Sequence, residues 1–212
     1  MLEPALTWAG LLLGLAGLAL QFTLSVSDML ANGRDLPGAL GVLFAYYTIL
    51  TNIVLVLIYL SEVTSARWLD LFRAPLVRGA MAANIALVGL YVYFVLRYLS
   101  DLHGFWFMAD AILHYAAPLL YLVWWVATQR HGVLRWANLP LMLLPTLIYF
   151  FYAMARGAWL QEYPYPILNA VELGYGPVAV NALYMTVFLA ALSLAVIAAD
   201  KFLARYSRTI AQ

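Results

Sequence analysis

The sequence predicts an all-α fold: a polytopic membrane bundle of six transmembrane helices, one domain over residues 1–212, with N and C termini cytoplasmic. Three observations predict it. Hydrophobic residues make up 66% of the chain and charged residues 10%, with a mean hydropathy of +0.89. A soluble domain carries about 25% charged residues, and no sphere this small hides so much apolar surface. Six segments are apolar over about the 20 residues that cross a hydrocarbon core. The basic residues gather on one side of those segments, as the positive-inside rule requires. The net charge of +1 leaves no basic field for nucleic acid, so none is expected as a partner. The chain has no cysteine, which removes disulfides, thiolate nucleophiles and thiolate metal sites.

The predicted spans cover about 5–26, 38–61, 79–99, 107–128, 139–155 and 177–203. The first lacks the basic n-region of a signal peptide and is as long as a full span. Its Gly10, Gly14 and Gly17, at helical spacing, predict close approach by another helix. The third carries Asn84, read as interhelical glue, and ends on Arg97. In the fifth, Pro140 and Pro145 interrupt the first half, and Tyr149, Tyr152 and Arg156 mark the outer end. The sixth opens on Asn181. With six spans, Arg67, Arg73, Arg78, Arg130, Arg135, Lys201, Arg205 and Arg208 share the side of the termini, against Arg34, Arg97 and Arg156 opposite. Trp68, Trp106, Trp136 and Trp159 fall near span ends, as an aromatic belt would place them.

Polar groups inside apolar spans carry the functional signal. In the second span Thr48, Thr51 and Asn52 share one helical face. A lone membrane threonine bonds its own carbonyl at i−4, but three polar groups on one face have no purpose toward lipid. In the fourth span Asp110 and His114 are four apart and also stacked, with Pro118 one turn further on to bend the helix. Counted as straight helices, the spans put Thr48 about 15 Å and His114 about 10 Å deep from the same side. Helices pack about 8–10 Å apart, so hydroxyl and imidazole at similar depth meet across an interface. A hydroxyl becomes a nucleophile when such a base takes its proton. Asp110 would then set the imidazole tautomer, and Asn52, Asn181 or a tyrosine hydroxyl such as that of Tyr152 would donate to an oxyanion. The surroundings are apolar, so a long-chain acyl ester is the natural substrate. The loop from Arg156 to Gly176, with Tyr163-Pro164-Tyr165-Pro166 and Glu172, is a lid over the site or an interfacial anchor.

Other chemistries find little material. The one lysine, Lys201, lies at a cytoplasmic span end, which disfavours a retinal Schiff base. Asp110 and His114 supply two metal ligands and spacing supplies no third, so neither metal nor cofactor is expected. The bilayer is the expected partner. The competing reading is a non-enzymatic lipid- or small-molecule-binding membrane protein or transporter, with Thr48 and His114 each satisfied at its own interface.

The segments Tyr47-Thr48-Ile49-Leu50-Thr51-Asn52, Leu113-His114-Tyr115-Ala116-Ala117-Pro118, and Tyr163 to Pro166 through Gly174-Tyr175-Gly176 and Asn181 resemble a bacterial branch of one membrane family. It is the family of the androgen-induced protein and the androgen-dependent TFPI-regulating protein, and the likeness covers about 38–205. Animal members are six-span threonine hydrolases of fatty acid esters of hydroxy fatty acids. The resemblance implies an intramembrane esterase in the bacterial inner membrane that works through an acyl-threonine intermediate. By position it makes Thr48 the nucleophile, with Thr51 the rival one turn away, and His114 the base. The residues around His114 follow the bacterial pattern, so the resemblance does not carry over the substrate of the animal members.

Overall fold

The computed structural model of the chain describes residues 2–99 and 101–210, and over these it is all-helical. Seven helices carry the architecture: α1 (Leu2–Ala31), α2 (Leu36–Leu43), α3 (Tyr47–Val63), α4 (Pro75–Phe94), α5 (Gly104–Thr128), α6 (Leu139–Leu160) and α7 (Tyr175–Ile210). Among the described residues five helices are long and apolar enough to cross a membrane, and six spans result if α2 and α3 count as one. Arg208, one of the basic residues counted above, lies outside the described side chains.

α4 is the helix around which the others assemble, touching α3, α5, α6 and α7. Its run Gly79-Ala80-Met81-Ala82-Ala83 is buried because short side chains let four neighbours approach. Asn84 fastens this axis. Its amide nitrogen donates to the carbonyls of Ala80 and Met142, and its oxygen accepts from Tyr47 and Thr146, tying α3, α4 and α6 together. The predicted glycine seam of α1 faces two helices. A Cβ on Gly10 would lie 2.2 Å from the Tyr59 ring and one on Gly14 2.7 Å from Val56, both on α3, while Gly17 abuts Ile112 of α5. Trp124 Nε1 donates to Thr7 Oγ1 at 2.9 Å and closes the α1–α5 contact.

Residues 38–61 do not form the continuous helix that their composition predicts. α2 and α3 meet at 78°, broken across Phe44–Tyr46, so the depth count from Gly38 to Thr48 does not apply. The break lacks proline or glycine; its cause lies in partners from outside the segment. Tyr149 and Tyr152, one turn apart on α6, donate to the carbonyls of Ala45 (2.9 Å) and Phe44 (3.4 Å) that a continuous helix would have engaged. α6 itself is unbroken. Pro140 sits in its first turn, where an N–H has no helical partner, and Pro145 is accommodated inside.

The glycine seam yields a stability test. Gly10→Ala drives a methyl into the buried Tyr59 ring, and unfolding in detergent followed by circular dichroism is expected to show a loss of about 1–3 kcal/mol.

Candidate active site

His114 lies in an irregular turn. Residues Ile112–Ala116 of α5 form a π-helix, in which the N–H of Ala117 bonds the carbonyl of Ile112. In that register the carbonyl of Leu113 would need the N–H of residue 118, which is proline and has none. Asn52 of α3 takes the place of the missing donor. Its Nδ2 donates to Leu113 O at 3.2 Å and to Thr48 O at 2.9 Å, so one amide holds the His114 turn and the Thr48 turn together. Gly89 of α4 makes room on the other side, since a Cβ there would lie 3.1 Å from the carbonyl of His114.

Thr48 is the second residue of α3. The break before it therefore leaves its N–H outside the helical ladder and at the positive end of the helix. Thr48 Oγ1 stands 3.1 Å from His114 Nε2. On the far side of the imidazole, Nδ1 lies 2.8 Å from Asp110 Oδ1. The carboxylate is off the direction of a ring N–H, so this contact has the distance of a hydrogen bond without its alignment. Tyr165 completes the cluster: its hydroxyl is 3.5 Å from Thr48 Oγ1 and 3.4 Å from Thr48 N. Hydroxyl, imidazole and carboxylate thus stand in sequence, with an N–H and a phenol beside the hydroxyl.

The other candidates are placed differently. Thr51 donates to the carbonyls of Tyr47 (2.9 Å) and Thr48 (3.1 Å), so its hydroxyl is engaged by its own helix. Asn52 uses its amide hydrogens on two carbonyls, which makes it a clamp and not an oxyanion donor. Asn181 donates to Ile167 O at 2.9 Å and tethers the loop after α6. Tyr152 holds the helix break, and Glu172 is exposed on the turn Ala170–Leu173. His131 has Asp200 at 3.3 Å from Nδ1 and the Val126 carbonyl at 3.0 Å from Nε2, so both its nitrogens are occupied.

Residues missed in the sequence reading come from the loop and from α4. Of these, Tyr165 belongs to the Tyr163-Pro164-Tyr165-Pro166 run, which folds back over the site as the lid expectation has it, with Tyr163 laid on Gly157 and Tyr165 edge-on to Tyr46 and Tyr91. Alternating proline was the signal that this loop is stiff. Two cavities meet beneath it, and Thr48, Val92, Leu96 and Tyr165 line both. The outer one, of about 900 Å³, contains His114, Asp110, Arg97, Asp101 and Gln21 in its wall. The inner one, of about 430 Å³, lies among α4, α6 and α7 and is almost wholly apolar. Tyr91 on its wall has a buried hydroxyl with no partner.

A charged clasp holds the covering loop down. Arg34, after α1, pairs with Glu162 at 2.7 Å, and Arg156 reaches both the carboxylate (3.4 Å) and the backbone carbonyl (3.0 Å) of Glu162. The Arg34 hydrogen bond first, and then the charges of Arg34 and Arg156, hold the Glu162 carboxyl below its ordinary range.

Comparison with protein-family models, with curated proteins and with solved structures finds no match.

Two outcomes are expected from this geometry. Asn52→Leu leaves the Leu113 carbonyl buried without a donor, which costs about 1–3 kcal/mol in detergent unfolding. The Glu162 clasp contributes above the carboxyl's unfolded pKa and is lost as pH falls through its lowered folded value. Protection of the 161–173 amides, taken relative to the intrinsic exchange rate at each pH, is therefore expected to fall only at and below the ordinary carboxylate range, and Glu162→Gln should show lowered protection already at neutral pH.

Proposed function

We propose that this protein is an intramembrane carboxylic ester hydrolase acting on long-chain lipid esters, with Thr48 as nucleophile and His114 as general base. The observation that carries the reading is the 3.1 Å approach of His114 Nε2 to Thr48 Oγ1 from two different helices. The hydroxyl proton passes to Nε2 as Oγ1 attacks the acyl carbon. The developing oxyanion finds the Thr48 N–H, at the positive end of α3, and the Tyr165 hydroxyl within reach. Asp110 orients the ring and stabilises the imidazolium through Nδ1. His114 then returns the proton to the departing alkoxide, and the acyl group stays on Thr48 until water, activated by the same imidazole, releases it as the acid.

The same reading treats α2 and α3 as one broken span among six, in a multi-pass cell-membrane protein with both termini cytoplasmic. The basic residues support that orientation, since only Arg34, Arg97 and Arg156 fall at the end of the bundle that holds the site. It also keeps the likeness to the threonine hydrolases of hydroxy fatty acid esters, whose nucleophile and base match Thr48 and His114 by position. A broken helix is tolerated at membrane depth where it lines a cavity, and here it lines two.

The test is turnover of a long-chain p-nitrophenyl ester together with labelling by a fluorophosphonate. Thr48→Ala and His114→Ala are each expected to lower turnover by about 10³-fold or more and to abolish labelling. Thr51→Ala should retain both signals. Tyr165→Phe should lower kcat by about 10²-fold with little change in KM, as removal of an oxyanion donor does. Full turnover in Thr48→Ala would remove the proposal.

A further inference from the structure

We propose that the two cavities divide the substrate at its ester bond: the inner chamber holds the acyl chain and the outer chamber holds the alcohol. This rests on the hydrolase reading and adds to it the place and class of each half of the substrate.

The order of chemical events favours this assignment. After Thr48 attacks, the bond from acyl carbon to alcohol oxygen breaks, and the alcohol carries away the proton held by His114. Water must then reach the acyl carbon from the imidazole side, giving its proton to Nε2 and its oxygen to the acid, while Thr48 Oγ1 recovers a proton as it leaves. His114 and Asp110 line the outer chamber and are absent from the inner one's walls. The group that departs and the water that replaces it therefore share the outer side. The group that stays must lie on the other.

The walls agree with the chemistry. Arg97, Asp101 and Asp110 make the outer chamber a poor place for bare hydrocarbon. In the inner chamber the polar side chains are mostly engaged by the protein: Tyr47 and Thr146 with Asn84, Tyr149 with the Ala45 carbonyl, Thr186 with the Ala182 carbonyl. The surface left to a ligand is hydrocarbon. Tyr91 is the exception, and its ring lies 6.4 Å from that of Tyr165, where an ester oxygen would be.

Length and access point the same way. On α6 the lining runs from Pro140 to Phe151, about 16 Å at the helical rise. Half of a hydrocarbon core about 30 Å thick is the depth that one leaflet's acyl chains occupy. Leu147 and Phe151 of α6 and Leu183 of α7 line this chamber while remaining 48%, 63% and 62% exposed. The chamber therefore opens sideways between α6 and α7, where an acyl chain can pass in from the bilayer without crossing water.

The experiment uses the full chain in detergent and p-nitrophenyl esters that differ only in acyl length. Ala182→Trp fills the chamber beside Asn181, the tether of the covering loop, and Thr186→Trp fills it one helical turn further along; Val187→Trp, exposed on the same helix and outside the lining, is the control. The ratio of palmitate to butyrate kcat/KM is expected to fall about tenfold or more in Ala182→Trp. In Thr186→Trp it should fall less, with medium-length esters spared. Leu102→Trp, on the outer wall, should instead leave that ratio unchanged and alter the dependence on alcohol size across a second series of palmitate esters that differ only in the alcohol. Binding of radiolabelled palmitate reads the inner chamber without turnover, and should be present in wild type and lost in Ala182→Trp. Unchanged ratios and unchanged palmitate binding in Ala182→Trp and Thr186→Trp, with wild-type turnover intact, overturn the division and leave the hydrolase reading standing. No wild-type turnover and no fluorophosphonate labelling overturn the hydrolase reading and the division with it.

Discussion

A peptide group that leaves its helical ladder away from water must find another partner, and the positions of Thr48 and His114 both follow from that constraint. α3 begins afresh after a break whose freed carbonyls are held by Tyr149 and Tyr152. α5 widens into a π turn whose freed carbonyl is held by Asn52. Each irregularity alone would cost a hydrogen bond. Together they bring a hydroxyl at a helix N-terminus against an imidazole, and the amide that repairs one turn also grips the other. The site and the means of stabilising it are the same few residues.

The helical architecture was largely legible in the sequence because apolar length is a property of single segments. The pairing of Thr48 with His114 was legible too, through helical faces and similar depth, although the depth count assumed a straight second span. What could not be read was whatever depends on a partner far along the chain. Nothing local in Phe44-Ala45-Tyr46 announces a break, since the tyrosines that hold it open lie on α6. Pro118 signalled distortion near His114, yet the π register and its capture by Asn52 need two helices in view. For the same reason Asn52, Asn181 and Tyr152 looked like donors to a reacting group, when their hydrogens are engaged by carbonyls. Tyr165 was visible only as one of several loop tyrosines.

Thr48 and Thr51 show how position along a helix decides what a hydroxyl can do. Thr51 has carbonyls three and four residues behind it and bonds both. Thr48 follows the break by so little that Phe44 and Ala45, four and three residues before it, belong to the turn ahead of α3. Its hydroxyl is left to a histidine and a tyrosine from elsewhere. Two residues of the same type, one turn apart, are thus separated in the partners of their hydroxyls by the helix start.

The clasp on Glu162 has a bearing on the setting in which the protein is handled. Arg34 and Arg156 both grip the loop at Glu162, and Arg34 and Glu162 are well exposed. Dissolved salt screens such contacts over a Debye length of about 8 Å at physiological ionic strength. An anion able to reach the exposed Arg34 guanidinium competes with the Glu162 carboxylate for it. The tightness of the roof above Thr48 is thereby tied to the ionic content of the medium around Arg34 and Glu162.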